Sequence, residues 1–416
     1  MEQSELIALG VFISYFVVII ILFTIVGTSI YDAATANGGT HAKNTSRKGL
    51  RATLFVLLAI GSLTHTWFYM FKYLEWSFNK HESYSSLIPE TFQERLTSWL
   101  LKTELFEEAW AAVCKGQLNW WWSEQLCLFT AGPWLVFLCV EGTRRKIKYL
   151  PAYMLLGQLV AISVASNLFY AAVILADDKS TTTRRAARNG SASTQAEGVE
   201  VVYYASPSLW FPVFIGILSI IFTPHTNADN FLINLLIMHS ILFVPLLSST
   251  PVIPFNLRTQ DVDVGALSIN VNIVYILLTL ICACVRFNTT SIISRLPLAA
   301  LNLDISDISG PTMSERRGLM DLALALKSTL YYHPAQSSIG WDIIWTSACL
   351  GAWVLFRPKE GATGEASKRK MSSKLFELPY VLLATPISSM GVTAAYLYRV
   401  PEPEGSVDVE EKPKRE

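Results

Sequence analysis

The sequence predicts an all-α integral membrane protein: a polytopic bundle of about eight or nine transmembrane helices plus one or two interfacial amphipathic helices. Of its 416 residues, 51% are hydrophobic and only 16% are charged, whereas about a quarter are charged in average soluble chains. The apolar residues also occur in long blocks, and a helix needs about 20 of them to cross the hydrocarbon layer. A water-soluble core could not enclose so many such blocks.

Nine segments have the composition of a membrane span and together form one predicted membrane domain, residues 1–400. The first follows an acidic start and is too long for a secretory signal, so it is expected to remain as a span. The shortest contains Pro212, which makes it the weakest candidate. The nine segments are Leu6–Ile30, Leu50–Tyr73, Trp120–Val140, Tyr149–Leu175, Leu209–Phe222, Phe231–Phe255, Ile269–Val285, Trp341–Phe356 and Leu375–Leu397.

Two further segments have helical spacing of apolar residues without the length of a span. In Leu96–Val113 the apolar residues recur at helical spacing and Glu104, Glu107 and Glu108 lie at other positions, which predicts a helix lying on the membrane surface. Leu319–Leu330 carries leucines on one stripe and is expected to behave in the same way. The last residues, 401–416, are charged and proline-containing, and they predict a disordered tail.

Basic residues in the loops predict the orientation of the chain, because cytosolic loops are rich in Lys and Arg. The loops after the first and third spans are basic, so the N-terminus is expected in the lumen, together with the sequon Asn189-Gly190-Ser191. The basic loop Arg357–Lys374 conflicts with nine strict crossings. The ending Lys412–Glu416 fits a cytosolic retrieval signal of the endoplasmic reticulum, and a plain charged tail is the alternative.

Several classes of function are disfavoured by the composition and the motifs. The chain has 33 basic and 33 acidic residues, so no electrostatic argument for nucleic-acid binding follows. It has no histidine cluster, no CxxC pair and no acid-rich motif for magnesium diphosphate. No metal and no other cofactor is therefore predicted. The six cysteines are expected to be packing residues.

Two acids within the predicted spans are the candidate catalytic residues, because ionisable groups are costly inside a membrane. Asp342 shares a helix face with Trp345, three residues further on, which suggests a proton donor beside an aromatic wall. The alternative is a helix-start acid after Gly340, since Asp is favourable near a helix N-terminus. Glu124 lies about one turn inside its segment and is the candidate second acid, or a hydrogen-bonded partner of Asp342.

Aromatic residues and histidines in the same spans are the candidate substrate-binding residues. Trp120 and Trp121 precede Glu124 by four and three residues and flank its helix face, although three consecutive tryptophans also suit an interfacial belt. A lone histidine in a membrane is more often a hydrogen-bonded packing residue than a base. The predicted substrate-binding set is Trp120, Trp121, Trp341, Trp345, His65 and His239.

Buried acids and aromatic rings without a metal site suit one type of chemistry. A buried carboxylic acid can protonate an epoxide or an alkene. Aromatic faces stabilise the resulting carbocation, and exclusion of water allows it to cyclise. A polyprenyl substrate would already partition into the bilayer. The composition is compatible with such a cyclase but does not prove it.

Three stretches carry a family resemblance: Trp120–Ile147, Tyr149–Ser163 and His333–Asp342. Together they resemble the fungal membrane-bound terpene cyclases of the ascofuranone and macrophorin pathways. The resemblance implies a late step of meroterpenoid biosynthesis, in which a farnesylated aromatic or its terminal epoxide is protonated and closed into a ring. It implies no metal or nucleotide, and it transfers no catalytic motif, so the site residues rest on the analysis of the residues alone.

Two other classes of function fit the same sequence. A transporter or lipid-handling protein would explain the spans and their polar residues equally well, and it predicts binding or flux without chemical change. A structural or assembly factor of the reticulum membrane would alter the abundance of a partner and form no product. The expected partners are a lipophilic prenylated aromatic substrate and the lipid bilayer, and the oligomeric state is not predicted.

Overall fold

The computed structural model describes residues 3–36, 42–84, 91–176, 201–256, 265–296, 319–358 and 365–400. These residues are mainly helical, and six helical segments among them are long and apolar enough to cross a membrane. They begin at Gln3, Ser46, Gln117, Pro207, Val271 and Pro334. The helical, membrane-type architecture agrees with the prediction, whereas the count of eight or nine spans is not confirmed. The sequon at Asn189 and the tail 401–416 lie outside the described residues.

The helices follow one another along the whole described chain. They are α1 (Gln3–Thr35), α2 (Ala42–Tyr84), α3 (Phe92–Lys102), α4 (Leu105–Cys114), α5 (Gln117–Phe129), α6 (Leu135–Arg145), α7 (Leu150–Leu159), α8 (Ile162–Leu175), α9 (Pro207–Phe222), α10 (Phe231–Ile241), α11 (Phe243–Leu247), α12 (Val271–Ser294), α13 (Leu319–Tyr332), α14 (Pro334–Phe356), α15 (Glu365–Ser388) and α16 (Met390–Leu397). A π-helical turn, Thr130–Trp134, joins α5 to α6, and a short 3-10 turn, Thr223–His225, follows α9.

Three predicted spans are not continuous helices. Tyr149–Leu175 is divided into α7 and α8 at Val160 and Ala161, where Ala161 has an extended backbone. Leu375–Leu397 is divided into α15 and α16 at Ser389. The predicted span Phe231–Phe255 is wrong as a single helix, because α10 and α11 end at Leu247 and the chain then forms a strand. Hydropathy detects apolar length but not these interruptions.

The interruptions have local causes in the sequence. Pro386, near the end of α15, has no N–H to donate to the preceding turn, and the helix ends two residues later. Ser389 then adopts a positive φ of 81°, which is costly for a residue with a side chain. Between α5 and α6, Gly132 leaves helical backbone angles just before Pro133. Such π-helical turns are frequent at functional sites.

A small antiparallel sheet, which the all-α prediction did not include, lies between the helical segments. Its strands are β1 (Val201–Ala205), β2 (Val252–Asn256) and β3 (Ile269–Asn270), in the order β2-β1-β3. Tyr203 pairs with Pro254, which has no N–H, and β2 is an edge strand where proline is tolerated. The sheet joins the end of α11 to the start of α12.

The helices α2, α8 and α14 pack closely on one another. Tyr170 of α8 stacks on Trp353 of α14 with ring centroids 4.6 Å apart. Phe55 of α2 meets the same Tyr170 edge-to-face at 5.4 Å. In contrast, the outer residues of α1 such as Val11 are exposed, as expected for a surface that faces lipid.

The predicted amphipathic segments are helical, but the first is two helices rather than one. Thr103 and Glu104 separate α3 from α4. Trp99 of α3 is buried and donates a hydrogen bond from Nε1 to Ser77 Oγ at 3.1 Å. The second segment lies within α13, where the carbonyl of Leu326 accepts from Trp122 Nε1. Both segments therefore pack against the bundle with part of their apolar face.

The stability of the start of α14 is expected to depend on pH. His333 caps this helix, because its Nδ1 accepts a hydrogen bond from the N–H of Ala335 at 3.2 Å. Burial lowers the pKa of His333 from its ordinary value of 6.5, and nearby Lys80 also lowers it whereas Glu108 raises it. A lowered folded pKa means that the cap contributes fully above that ordinary value and is lost as pH falls through the folded pKa.

We therefore expect the Tm of the detergent-solubilised protein to decrease between about pH 7 and about pH 5. The control is His333→Asn, because asparagine caps a helix but does not titrate in this range. Its Tm should change less over the same interval. An equal change in both proteins would contradict the role of His333 as a titrating cap.

Candidate functional site

A buried ion pair between Glu124 and Arg286 is the most unusual feature inside the bundle. Glu124 lies on α5 and is 0% exposed, and Arg286 lies on α12 and is 2% exposed. Arg286 Nη1 donates to Glu124 Oε1 at 3.0 Å. Both charges are removed from water, which is costly unless their partners are well placed. The pair is therefore a candidate for a functional centre.

The guanidinium of Arg286 is held by the backbone of two other segments. Its Nη1 also donates to the carbonyl of Trp121 at 2.8 Å, and its Nε donates to the carbonyl of Ile387 at 3.3 Å. The guanidinium carbon lies 3.7 Å from the centroid of the Trp121 ring, an arrangement that is attractive for a desolvated cation. Trp121 is itself positioned by a hydrogen bond from its Nε1 to Thr290 Oγ1 at 3.2 Å.

The hydroxyl group of Thr289 contacts the carboxyl group of Glu124. Its Oγ1 lies 2.5 Å from Glu124 Oε2 and 2.8 Å from the carbonyl oxygen of Val285. The hydroxyl has one hydrogen, which it donates to Glu124 Oε2, to the Val285 carbonyl, or to both in a shared hydrogen bond. If Glu124 instead carries a proton on Oε2, it donates that proton to Thr289 Oγ1 while Thr289 donates to Val285. The geometry therefore accommodates a carboxylic acid at Glu124.

Asp342 is buried, but both of its oxygens are used to cap another helix. Oδ2 accepts from the N–H of Ile162 at 2.9 Å, and Oδ1 accepts from the N–H of Ser163 at 2.8 Å. These are the first N–H groups of α8, which have no partner within their own helix. The residue before them, Ala161, has no side-chain oxygen that could cap the helix. The carboxyl group of α14 thus supplies the missing cap of α8.

One alternative from the sequence placed Asp342 at the N-terminus of its own helix. The structure places it elsewhere. The helix α14 begins at Pro334, so Asp342 lies more than two turns inside it. Its carboxyl group stabilises the start of a different helix. Asp342 and Glu124 have no hydrogen bond to each other, since the partners of each lie on separate helices.

Three of the predicted substrate-binding residues do form one cluster, at the contact between α2 and α14. Trp345 Nε1 donates to His65 Nδ1 at 3.2 Å. The His65 ring lies 4.0 Å from the Trp341 ring, centroid to centroid. The Trp345 ring also packs against Gly61, where a side chain would be crowded. The three side chains are half-buried, so this cluster lies at the side of the bundle rather than at its centre.

The remaining predicted residues lie elsewhere. His239 of α10 stacks on Trp110 of α4 with centroids 4.9 Å apart, and its Nδ1 lies 2.8 Å from the carbonyl of Leu235. It is not part of the His65 cluster. Trp120 is buried at 4% exposure and shares the helix face of Glu124, one turn away. The predicted residues are therefore divided among four places instead of lining one pocket.

Arg286 and Thr289 were missed by the sequence analysis. The predicted span ended at Val285, one residue before Arg286, so the arginine was taken as part of the loop. In the structure α12 continues to Ser294. The available signal was the apolar pair Ile292-Ile293 after Arg286, which extends the helical pattern by two turns.

No group of three or more histidine, cysteine or acidic side chains in the described part of the chain could hold a metal ion. Comparison with known proteins adds no relative: no protein family, no curated protein and no solved structure matches this chain. Any functional conclusion therefore rests on the residues themselves.

Proposed function

We propose that this protein is a membrane-embedded terpene cyclase of the endoplasmic reticulum that protonates a farnesylated aromatic, or its terminal epoxide, and closes the prenyl chain into a ring. One observation carries the proposal. Glu124 is a fully enclosed carboxyl group, and its contact with Thr289 accommodates a proton on Oε2. The resemblance of Trp120–Ile147 to fungal membrane-bound cyclases includes this residue.

In the proposed reaction Glu124 acts as the general acid. Its Oε2 gives a proton to a terminal alkene carbon or to the epoxide oxygen, and the electron pair of the next double bond forms the ring bond. The carboxylate that remains is stabilised by Arg286 Nη1, 3.0 Å from Oε1. Loss of a ring proton back to Glu124 restores the acid and leaves the mass of the substrate unchanged. The proposed reaction uses no cofactor.

Trp120 is the aromatic residue that we assign to cation stabilisation. It lies one turn before Glu124 on the same helix face and is buried. One face of Trp121 is covered by the Arg286 guanidinium, so Trp121 is assigned to positioning Arg286. Because both oxygens of Asp342 accept backbone hydrogen bonds, the role of proton donor passes from Asp342 to Glu124 in this proposal.

The test is the Glu124→Gln variant. Membranes from a host that expresses the protein are incubated with a farnesylated phenol and, separately, with its terminal epoxide, and the products are analysed by mass spectrometry. We expect the wild type to form a product of unchanged mass and Glu124→Gln to form none above background, because the amide has no acidic proton. The removal of a general acid typically costs about 10²–10⁴-fold in rate.

A matched control is Glu377→Gln. Glu377 also pairs with an arginine, Arg357, at 2.7 Å, but it lies near the end of the bundle and has no part in the proposed site. This variant should keep wild-type turnover. Normal turnover by Glu124→Gln at equal protein level would exclude Glu124 as the acid.

A second candidate function is transport of a lipophilic molecule, which is favoured by the interrupted helices. Non-helical backbone at membrane depth is tolerated only inside protein or beside a cavity, and transporters place their binding sites at such interruptions. Here α7 and α8, and α15 and α16, are interrupted in this way. Flux of an unchanged compound into proteoliposomes, unaffected by Glu124→Gln, would support transport instead of cyclisation.

A further inference from the structure

The interruption between α15 and α16 brings buried polar groups together at Ser389. This residue is 0% exposed, and its Oγ has no hydrogen-bond partner among the described residues. It precedes α16, whose N-terminus has no side-chain cap. The first N–H groups of a helix lack partners within the helix and favour a negative charge. Ser389 thus combines an unused hydroxyl with an uncapped helix start.

Arg286 reaches the same interruption from α12. Its Nε donates to the carbonyl of Ile387, two residues before Ser389, at 3.3 Å. Its Nη2 has no hydrogen-bond partner among the described residues, although the side chain is 3% exposed. In a guanidinium group, Nε and Nη2 lie on the same edge, so the unused Nη2 also faces the interruption. Because Nε is used by Ile387, Nη2 is the group on this edge that could donate to a carboxylate or a phosphate.

The positive charge of Arg286 also favours an anion at this edge of its guanidinium group. In the proposed function Glu124 carries a proton, so the positive charge of Arg286 has no partner of opposite charge in the resting protein. An isolated charge inside a bundle is costly, and an oxyanion beside Nη2 would offset it. The same anion would interact favourably with the N-terminus of α16.

The outer side of the interruption forms part of the exposed apolar surface. The side chain of Ile387 is 77% exposed and that of Leu383, one turn earlier, is 71% exposed, although the carbonyl of Ile387 accepts from Arg286. The polar groups therefore lie one backbone layer behind a lipid-facing surface. A molecule with an apolar chain and an anionic end could reach Arg286 from the membrane.

We propose that Arg286 Nη2, Ser389 Oγ and the first N–H groups of α16 bind the oxyanion of an amphiphilic molecule that enters from the bilayer. The inference deepens the proposed function, on which its charge argument rests: the same carboxylate or phosphate would anchor the head of the substrate while Glu124 acts on its chain. A membrane phospholipid carries the same chemistry, and the experiment distinguishes the two sources.

The test measures binding rather than turnover, in full-length protein purified in a neutral detergent. The probes are dansyl-undecanoic acid, its uncharged methyl ester and dodecyl phosphate. We expect the wild type to bind the acid at least about tenfold more tightly than the ester, since only the acid carries a charge and charge-assisted hydrogen bonds are roughly twice as strong as neutral ones. Arg286→Gln should remove this preference. Equal binding of acid and ester by the wild type would overturn the proposal.

Ser389→Gly separates binding from folding. Glycine adopts a positive φ without the cost that serine has, so the variant should unfold at the same temperature as the wild type or higher. It should nevertheless bind the acid about threefold to tenfold more weakly, because one hydrogen bond is lost. The matched control is Arg357→Gln, which removes a different paired arginine and should keep the preference for the acid. An equal loss in this control would overturn the site.

Two further comparisons complete the experiment. One identifies the source of the ligand, and the other shows whether a failure concerns the anion site or the proposed function. Tighter binding of dodecyl phosphate than of the acid, with phospholipid retained by the purified wild type but not by Arg286→Gln, would assign the site to a lipid head group. Tighter binding of the acid would assign it to a carboxylate-bearing substrate. If the charge preference is absent while Glu124→Gln still abolishes cyclisation, the anion site is wrong and the proposed function stands.

Discussion

Replacing Arg286 with methionine is expected to lower the free energy of unfolding by about 3–5 kcal/mol, because three buried acceptors lose their donor and each such loss costs about 1–3 kcal/mol. Arg286 is 2% exposed and donates hydrogen bonds to three residues on two other helices: Glu124 and Trp121 of α5, and Ile387 of α15. The methionine fills part of the space but makes none of these hydrogen bonds. Chemical denaturation in mixed micelles, followed by tryptophan fluorescence, measures the change.

The double variant Glu124→Met/Arg286→Met shows whether the loss comes from the unpaired carboxyl group of Glu124. Replacing both partners of a buried pair with apolar residues is often neutral or stabilising. We therefore expect the double variant to recover most of the stability that Arg286→Met loses. The control Arg357→Met breaks a pair whose side chains are 26% and 18% exposed, and it should cost only about 0.2–1 kcal/mol. A double variant as unstable as Arg286→Met would show that packing, and not the contact between Glu124 and Arg286, holds α5 to α12.

The second large effect is expected for Asp342→Ala, which removes the cap of α8. Two N–H groups, those of Ile162 and Ser163, would lose a carboxylate acceptor inside the protein. Hydrogen bonds to a charged group contribute about 1.5–3 kcal/mol each, and a lost helix cap typically costs about 1 kcal/mol. Because two bonds to one buried carboxylate are lost, we expect a larger loss than for an ordinary cap, about 3–6 kcal/mol, together with faster hydrogen exchange at the start of α8.

A rescue experiment tests whether Asp342 is a cap or an acid in the reaction. Ala161 is the residue before α8 and has an extended backbone, as an N-cap residue does. Serine at this position can accept a hydrogen bond from the start of α8. Ala161→Ser in the Asp342→Ala protein should therefore recover part of the stability and the turnover. Recovery of stability without any turnover would instead assign Asp342 to the chemistry.

The sequence by itself determined the class of the protein, because this class depends on local composition. Apolar blocks such as Leu6–Ile30 are long enough to cross a bilayer whatever their neighbours are, and α1 and α14 form over the predicted residues. The sequence also indicated that Glu124 is a candidate functional residue, since an acid one turn inside an apolar segment has no local explanation. The interruption at Ser389 was not predicted, and neither was the burial of its unused hydroxyl.

Only the tertiary structure decided what these residues contact. Glu124 and Arg286 are 162 positions apart, and Asp342 is 180 positions from Ile162, whose N–H it accepts. Helical spacing relates residues within one helix and carries no information about which faces of different helices meet. Asp342 therefore read as a candidate acid although it caps another helix, and Arg286 read as a loop residue. The function of a buried charge is determined by the partner that offsets the cost of burying it, and that partner lies on another helix.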